Sequence, residues 1–272
     1  MISANAKLST RGLSKAFRKG NAQIEVLRDL NIDIFPREFV SIVGASGCGK
    51  TTFLRLVDGL IQPSSGTVSV DGKVVDTPGK GLSFVFQHDG LFPWRNCGNN
   101  TALGPELAGR PFKQARELAC SFLRLVGLGG FDQHYPHELS GGMRQRVNIA
   151  RALAAGADIM LMDEPFAALD AQTREIMQSE LLRIWQETQK TVLLVTHQID
   201  EAVYLSDRVL ILTVRPGRLK QEVRIDLPRP RELSIKRTPQ FVYFTDLIWR
   251  AIEQEVRDSI NQEARTLASL HS

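Results

Sequence analysis

A glycine-rich segment at residues 44–51, GASGCGKT, restricts the possible folds of this 272-residue chain more than any other part of it. The apolar run Phe39–Val43 precedes the segment, and a helical pattern from Lys50 to Asp58 follows it. A strand, a glycine loop and a helix in this order are the context of a phosphate-binding loop. The glycines leave backbone N–H groups free to bind phosphates, Lys50 supplies positive charge, and the Thr51 hydroxyl suits Mg²⁺. We therefore predict a phosphate site here, with an ordinary glycine turn as the alternative.

A second glycine-containing helix start lies at residues 139–143, LSGGM. Ser140 is suited to cap this helix, and apolar residues continue at helical spacing from Val147 to Leu153. Glycines at a helix start leave N–H groups accessible, and the positive end of the helix dipole attracts anions. The segment therefore predicts an anion site that is separate from the glycine loop.

Two adjacent carboxylates, Asp163 and Glu164, follow the apolar segment Ile159–Met162. Ligands of open α/β sheets bind at the carboxyl ends of the strands, where this pair would lie. Adjacent acids at a strand end are commonly just solvated. Beside a phosphate loop, however, Asp163 suits Mg²⁺ and Glu164 suits a base that accepts a proton from water.

Strand and helix patterns alternate along most of the chain. This alternation predicts an α/β fold with a mainly parallel sheet and helices on both faces. Helical patterns dominate from about residue 88 to residue 157, which predicts a helical insertion. The predicted strands are Ile24–Leu27, Asn31–Phe35, Phe39–Val43, Thr67–Asp71, Leu82–Phe86, Ile159–Met162, Thr191–Thr196 and Arg208–Thr213. The predicted helices are Lys50–Asp58, Lys113–Val126, Gly141–Ala155, Gln172–Glu187 and Ile199–Leu205.

Composition bears on the setting of the protein. The three cysteines have neither a paired nor a metal-ligand spacing, which favours a reducing, cytoplasmic environment. The longest apolar runs, such as Val192–Val195, are too short to span a bilayer. The net charge is +4, and five arginines between residues 215 and 231 are either ordinary solvated residues or a face turned to an anionic membrane.

The glycine loop, LSGGM and the Asp163-Glu164 pair together resemble the ATP-binding cassette (ABC) ATPases, whose signature LSGGQ appears here as LSGGM. The resemblance covers roughly residues 7–231. It implies a P-loop NTPase cassette with a RecA-like, mainly parallel sheet core, an N-terminal antiparallel β part and an inserted helical subdomain at about residues 88–157. Residues 1–231 are then the ABC ATPase domain, and residues 232–272 are a C-terminal helical extension.

The same resemblance implies a role for each residue of the site, with ATP and Mg²⁺ as cofactors. The implied nucleotide-binding residues are Phe17, Gly44, Ala45, Ser46, Gly47, Cys48, Gly49, Lys50, Thr51, Thr52, Ser140, Gly141, Gly142 and Asp170. The implied catalytic residues are Glu164, His197, Gln87 and Lys50. The implied Mg²⁺ residues are Thr51, Gln87 and Asp163.

Several of these residues also have a simpler interpretation. Phe17 is expected to stack on adenine, and its alternative is a buried strand residue. His197 follows a predicted strand, where the family places a contact to the terminal phosphate, and its alternative is a structural histidine. Cys48 occupies a variable position of the loop, so we assign no catalytic role to it. Asp170 lies in the segment that the resemblance assigns to the crossing toward another subunit.

The Ser140 site is separate from the glycine loop both in sequence and in predicted subdomain. One ATP uses both sites only if two copies of the chain pack head to tail, so that Ser140–Gly142 of one copy acts on the ATP bound by the other. The resemblance implies this ATP-dependent homodimer, which hydrolysis then reverses.

A single cassette without membrane helices fits the ATPase subunit of an importer. Residues 84–95, 164–170, 215–218 and 226–231 resemble the nitrate/sulfonate/taurine importer group, whereas residues 96–100, NCGNN, depart from its apolar-rich pattern. The implied partners are transmembrane permease subunits and a periplasmic or lipid-anchored solute-binding protein, with no nucleic acid. The implied location is the cytoplasmic side of the inner membrane. The alternative is a soluble, non-transport ABC ATPase that acts on another macromolecule.

Two segments outside these motifs carry further predictions. Trp94 is either a core residue or an exposed anchor for a permease helix. Apolar residues from Phe241 to Val256 recur at helical spacing and predict a helix over Pro239–Arg257 with one apolar face. A helix docked on its own cassette is favoured over a regulatory or partner-binding helix.

Overall fold

The computed structural model describes residues 6–20, 22–79, 81–87 and 90–270. The chain forms two compact units. The first unit consists of Met1–Asp76 and Leu194–Ser272, and the second consists of Thr77–Leu193. The predicted division into residues 1–231 and 232–272 stays a prediction.

The elements lie within the described residues in the following order. The strands are β1 (Leu8–Lys19), β2 (Ala22–Ile34), β3 (Phe39–Val43), β4 (Ser65–Val70), β5 (Lys73–Val74), β6 (Leu82–Val85), β7 (Ile159–Asp163), β8 (Thr191–Val195), β9 (Arg208–Leu212) and β10 (Leu219–Arg224). The helices are α1 (Lys50–Val57), α2 (Cys97–Leu107), α3 (Phe112–Leu125), α4 (Gly141–Ala154), α5 (Ala171–Thr188), α6 (Ile199–Leu205) and α7 (Pro239–Leu270).

An antiparallel sheet in the first unit is built from the N-terminal strands in the order β2-β1-β4-β5. The predicted N-terminal antiparallel β part is therefore confirmed. The two short strands predicted at Ile24–Leu27 and Asn31–Phe35 are instead one strand, β2. Asp29 adopts a φ of +50°, and the pairing register with β1 shifts beside it, so the strand continues through the polar residues between the two apolar segments.

The glycine loop of the first unit connects β3 to α1, as predicted. β3 pairs parallel with β9, and β9 pairs antiparallel with β10. Every residue of β3 is buried, which explains its mainly apolar sequence because a strand covered on both faces has no solvent side. The order strand, loop and helix predicted from the sequence is therefore confirmed, and the α/β class with it.

The second unit combines parallel strands with packed helices. β6 pairs parallel with β7, and α2, α3 and α4 contact one another. α2 was not predicted from the sequence, because its buried positions include polar residues and break the apolar spacing. Asn100 is fully buried, accepts a hydrogen bond from the Phe92 N–H at 2.8 Å and donates to the Arg95 carbonyl oxygen at 2.8 Å. A side chain at Gly104 would lie 2.9 Å from Ala155, so a glycine is needed where α2 approaches the end of α4.

The C-terminal helix α7 packs on other elements of the first unit and extends beyond the predicted range. Phe241, Phe244 and Ile248 are buried, and α7 contacts α6 and β9. Val256 is 37% exposed, so the apolar face is covered only along the first part of the predicted helix. The docked-helix interpretation describes this part of α7.

Arg231 is a structural residue. It is 5% exposed, and its guanidinium donates hydrogen bonds to five carbonyl oxygens at the end of α6 and after β10. The acceptors are Val203 at 3.1 Å, Tyr204 at 2.9 Å, Ser206 at 2.8 Å, Ile225 at 3.3 Å and Leu227 at 3.3 Å. A cation near a helix C-terminus satisfies carbonyls that have no helical partner.

The interpretation of the arginines at 215–231 as a membrane-facing group is therefore wrong for two of them. Arg231 is buried, and Arg229 forms an ion pair with Asp207 at 2.8 Å. No helix in the described ranges is long and apolar enough to span a bilayer.

Candidate nucleotide-binding site

The glycine loop has a backbone that only glycine adopts without strain at two positions. Gly47 and Gly49 have φ values of +76° and +103°. A Cβ atom on Gly49 would also lie 2.7 Å from a methyl carbon of the buried Leu27. Both glycines are therefore required by the local geometry, and the loop can present its N–H groups at the start of α1.

Lys50 is the first residue of α1, and its side chain folds back over the loop. The residue is 6% exposed, and its Nζ donates to the carbonyl oxygens of Gly44 at 2.9 Å and Ala45 at 3.2 Å. These contacts keep the ammonium group beside the loop backbone. The predicted phosphate-binding cation is thus held where loop and helix meet. Thr51 and Thr52 follow it in the first turn of α1.

Cys48 lies inside the loop but is fully buried. Burial raises the pKa of its thiol, and this outweighs the opposing effect of the Lys50 charge. A thiol of this kind stays protonated and is a poor nucleophile. A buried, protonated thiol is consistent with our assigning no catalytic role to Cys48.

Two further predicted residues of the first unit are exposed. Phe17 lies on β1 with 42% of its surface exposed, and the Nζ of Lys15 is 5.1 Å from its ring centroid. The alternative of a buried strand residue is therefore wrong for Phe17, and its ring is available for stacking. His197 lies two residues after the end of β8 and is also exposed.

In the second unit, Glu164 and Gln87 lie side by side. Asp163 ends β7 and is 8% exposed, and Glu164 follows it with a φ of +46°. The Gln87 Nε2 donates to the Glu164 Oε2 at 3.4 Å. A left-handed backbone at a residue with a Cβ costs about 1–3 kcal/mol and persists where the surroundings enforce it, commonly at functional sites. The structure therefore brings together two of the predicted catalytic side chains.

The predicted anion site at Ser140 is the start of α4. The Ser140 Oγ accepts a hydrogen bond from the Met143 N–H at 3.3 Å, so Ser140 is the N-cap as predicted. Ser140 and Gly141 are exposed, which leaves this helix start open to an anion. Arg144 donates to the Leu139 carbonyl oxygen at 2.7 Å and fixes the chain just before the cap.

Asp170 is the N-cap of the next helix, α5. Its carboxylate accepts a hydrogen bond from the Thr173 N–H at 3.0 Å, and this bond lowers the pKa of Asp170. A Cβ on Gly142 would lie 3.0 Å from the Thr173 methyl group, so the starts of α4 and α5 are in contact. The start of α4, which the resemblance assigns to the other copy's ATP, and the segment that it assigns to the crossing toward the other subunit are thus adjacent.

Two residues that no sequence motif predicted connect α4 to the segment around Gln87. The Asn148 Nδ2 donates to the Phe86 carbonyl oxygen at 3.3 Å, and the Arg151 Nη1 donates to the Gly90 carbonyl oxygen at 2.8 Å. Asn148 is fully buried between the apolar residues Val147 and Ile149 of α4. Their acceptors are backbone carbonyls, which leave no motif in a sequence.

The Mg²⁺ residues carry the oxygen donors that this ion prefers, the Thr51 hydroxyl and the Asp163 carboxylate. Within the described ranges, no group of three or more His, Cys, Asp or Glu side chains is arranged to hold a metal ion. Mg²⁺ commonly binds through one or two protein groups together with phosphate and water. The Thr51 hydroxyl and the Asp163 carboxylate are each a donor of the kind that this mode of binding uses.

Comparisons with known proteins agree with these motifs. The family profile described as ABC transporter matches residues 27–167. An uncharacterized ABC transporter ATP-binding protein of Methanocaldococcus jannaschii is 49% identical over 254 residues, covering 93% of this chain and 94% of that protein. The nitrate import ATP-binding protein NrtD of Synechocystis sp. is 42% identical over 268 residues, covering 96% of this chain and 99% of that protein. The taurine import ATP-binding protein TauB of Escherichia coli O157:H7 is 44% identical over 235 residues, covering 84% of this chain and 92% of that protein.

A solved structure agrees as well. A dimeric ATP-binding cassette in a post-hydrolysis state, bound to ADP and Pi, superposes with a TM-score of 0.71 at 31% identity. The match covers 81% of this chain and all of that chain. This chain belongs to the ABC transporter family of ATP-binding cassettes, as its glycine loop, its helix start at Ser140 and its relatives show.

Proposed function

We propose that this chain is the ATP-binding and ATP-hydrolysing subunit of an ABC importer of the nitrate/sulfonate/taurine class. The observation that carries the proposal is the similarity to nitrate and taurine import ATP-binding proteins, which extends over most of both chains. The sequence outside the ABC transporter profile is included in these matches, since the profile ends at residue 167. The proposed location is the cytoplasmic side of the inner membrane, beside a permease and a solute-binding protein.

The residues of the glycine loop bind the triphosphate in this proposal. Lys50 leaves its loop carbonyls and neutralises the outer phosphates, and Phe17 stacks on the adenine at a gain of roughly 1–3 kcal/mol. Mg²⁺, when bound by Thr51 and Asp163, supplies positive charge to the phosphates. Lys50→Ala should therefore weaken the binding of ATP itself.

Glu164 is the group that accepts a proton from the attacking water. The hydrogen bond from Gln87 orients its carboxylate, and the strained backbone at Glu164 fixes where the side chain begins. His197 contacts the terminal phosphate. A positioned base of this kind contributes roughly 10²- to 10⁴-fold to a rate.

Two copies of the chain form the complete site. The exposed helix start at Ser140–Gly142 completes the phosphate site of the other copy, and Asp170 lies in the adjoining segment. The dimeric cassette bound to ADP and Pi supports this arrangement for a similar protein. ATP-dependent association and its reversal by hydrolysis are then the output of the subunit.

Ser140→Arg tests the composite site. A bulky cation at the exposed cap should block docking of the other copy's phosphate, so monomeric ATP binding should remain while ATP-dependent dimerisation and turnover are lost. Equilibrium binding of ATP, size-exclusion chromatography and phosphate release measure the three properties. Ser121→Arg, at an exposed serine of α3 in the same unit, is the matched control. Normal ATP-dependent dimers of Ser140→Arg would reject the composite site.

The substitution Trp94→Ala tests whether Trp94 anchors the permease partner. Its side chain is 72% exposed and packs only against the Phe92 ring among the aromatic contacts described, with centroids 5.2 Å apart, so the core interpretation is wrong. Large aromatic side chains that become buried at an interface are typical binding anchors. Trp94→Ala should reduce co-purification with a co-expressed permease subunit at least severalfold, with unchanged ATPase activity of the isolated chain. Trp249→Ala, at a 56% exposed tryptophan of α7, is the control. Equal co-purification of Trp94→Ala and wild type would argue against this anchor.

A further inference from the structure

The turn that joins β9 to β10, residues 213–218, lies against the glycine loop within the first unit. A Cβ atom on Gly217 would lie 2.2 Å from the carbonyl oxygen of Cys48, so this approach requires glycine. On the same side, Arg215 Nη2 donates to the Gly47 carbonyl oxygen at 3.4 Å. The loop backbone at Gly47 and Cys48 therefore rests directly on the turn.

Strand β2 holds the turn and the loop together. The Gly217 N–H donates to the Val26 carbonyl oxygen at 2.8 Å, and the Arg28 N–H donates to the Gly217 carbonyl oxygen at 3.0 Å. The fully buried Leu27 lies between Val26 and Arg28 and is close to both Gly217 and Gly49. Its methyl carbon is 3.0 Å from a Cβ built on Gly217 and 2.7 Å from one built on Gly49. A shift of the turn would therefore be passed to the loop by direct contact, because packed interiors leave little free space.

Helix α7 reaches the same turn through one carboxylate. The Glu255 Oε2 accepts a hydrogen bond from the Val214 N–H at 3.1 Å, and its Oε1 forms an ion pair with the Lys220 Nζ at 2.7 Å. Lys220 also donates to the Ala251 carbonyl oxygen at 2.9 Å. The Glu255 side chain is 17% exposed, so these charge-assisted bonds are partly shielded from water. One residue of α7 thus holds both the start of the turn and the strand that follows it.

We propose that Glu255 is a positioning residue for ATP binding, acting through the turn at Val214–Gly217. Its carboxylate holds the turn against the back of the glycine loop and so favours the loop conformation that receives the phosphates. This proposal rests on the proposed function of the glycine loop. Coupling between two sites is reciprocal, so ATP on the loop must stabilise the contact between Glu255 and the turn by the same factor.

Three variants of the full chain test this role. Glu255→Ala should raise the Kd for Mg²⁺–ATP and the KM roughly 2- to 30-fold, the range for residues that couple sites without touching ligand, while kcat changes little. Glu255→Gln keeps an acceptor for the Val214 N–H and should recover most of the affinity. Glu253→Ala is the control, because Glu253 is on the same helix and pairs with Arg257 at 2.7 Å. An unchanged Kd for Glu255→Ala, or an equal loss in Glu253→Ala, would overturn the proposal.

Hydrogen exchange of the wild-type chain gives a second test that requires no variant. Mg²⁺–ATP should slow exchange of the Val214 amide, and an exchange rate that ATP leaves unchanged would also reject the role of Glu255. Lys50→Ala separates this proposal from the proposed function. If the wild-type chain binds Mg²⁺–ATP and Lys50→Ala does not, the glycine loop keeps its function whatever Glu255 does. No binding by the wild-type chain would reject the function, and the role of Glu255 with it.

Discussion

Glu164→Gln should remove most ATP hydrolysis while ATP binding remains. The amide keeps the size of the side chain and its contact with Gln87, but it cannot accept the proton of the attacking water. We expect phosphate release at saturating Mg²⁺–ATP to fall by roughly 10²- to 10⁴-fold. Because the bound ATP is no longer consumed, a dimer should accumulate and be visible by size-exclusion chromatography.

The matched control for this substitution is Glu117→Gln. Glu117 is an exposed glutamate of α3 in the same unit, and its loss of charge should leave turnover unchanged. Hydrolysis by Glu164→Gln at the wild-type rate would remove Glu164 from the reaction. A simultaneous loss of ATP binding would instead indicate that the side chain supports the nucleotide site rather than the proton transfer.

Among the substitutions proposed here, Arg231→Leu should produce the largest loss of stability. Burial lowers the pKa of Arg231 to about 10, so the guanidinium is still charged at neutral pH and donates to five carbonyl oxygens. Leucine leaves these acceptors buried without donors, and each unsatisfied group costs about 1–3 kcal/mol. We expect the free energy of unfolding to fall by at least about 3 kcal/mol in chemical denaturation.

The control for Arg231→Leu is Arg224→Leu, which removes an exposed arginine seven positions earlier in the chain. A surface substitution of this kind changes stability by about 0.5 kcal/mol or less. Equal denaturation midpoints for the two variants would contradict a capping role for Arg231. For the same reason, a truncation that tests α7 should end after Arg231. A shorter chain would lose the hydrogen bonds of Arg231 together with the docked helix.

The predicted fold is most accurate where apolar spacing alone specifies an element. β3, β7 and β8 are mainly apolar segments, and α1 and α4 begin at glycine-containing caps, so their positions agree with the prediction within a few residues. α2 was missed because its buried Asn100 is polar and satisfies backbone groups of Phe92 and Arg95 in the loop just before the helix, so it breaks the apolar spacing. β10 was missed because all but one of its residues are at least partly exposed, which leaves little apolar pattern.

The candidate site was predictable where residues form a compact motif. The glycine loop, Ser140 and the Asp163-Glu164 pair have the local structure that was predicted for them. Gly217 was missed because its importance lies in a close approach to the Cys48 carbonyl, which is almost 170 positions away in the sequence. Arg231 was misassigned because charge alone predicts exposure, whereas its Nη1 and Nη2 donate to five backbone carbonyl oxygens. Contacts to distant backbone are visible only once the chain is folded.

The left-handed backbone at Glu164 sets folding and reactivity against each other at a single position. Glycine, asparagine or aspartate would tolerate that conformation more easily, but each removes or shortens the carboxylate. A longer acidic side chain is not available among the natural amino acids. Selection for greater stability and selection for faster ATP hydrolysis therefore favour different residues at position 164. In the role that we propose for Glu164, the chain retains the residue that serves turnover and accepts a backbone penalty of about 1–3 kcal/mol for it.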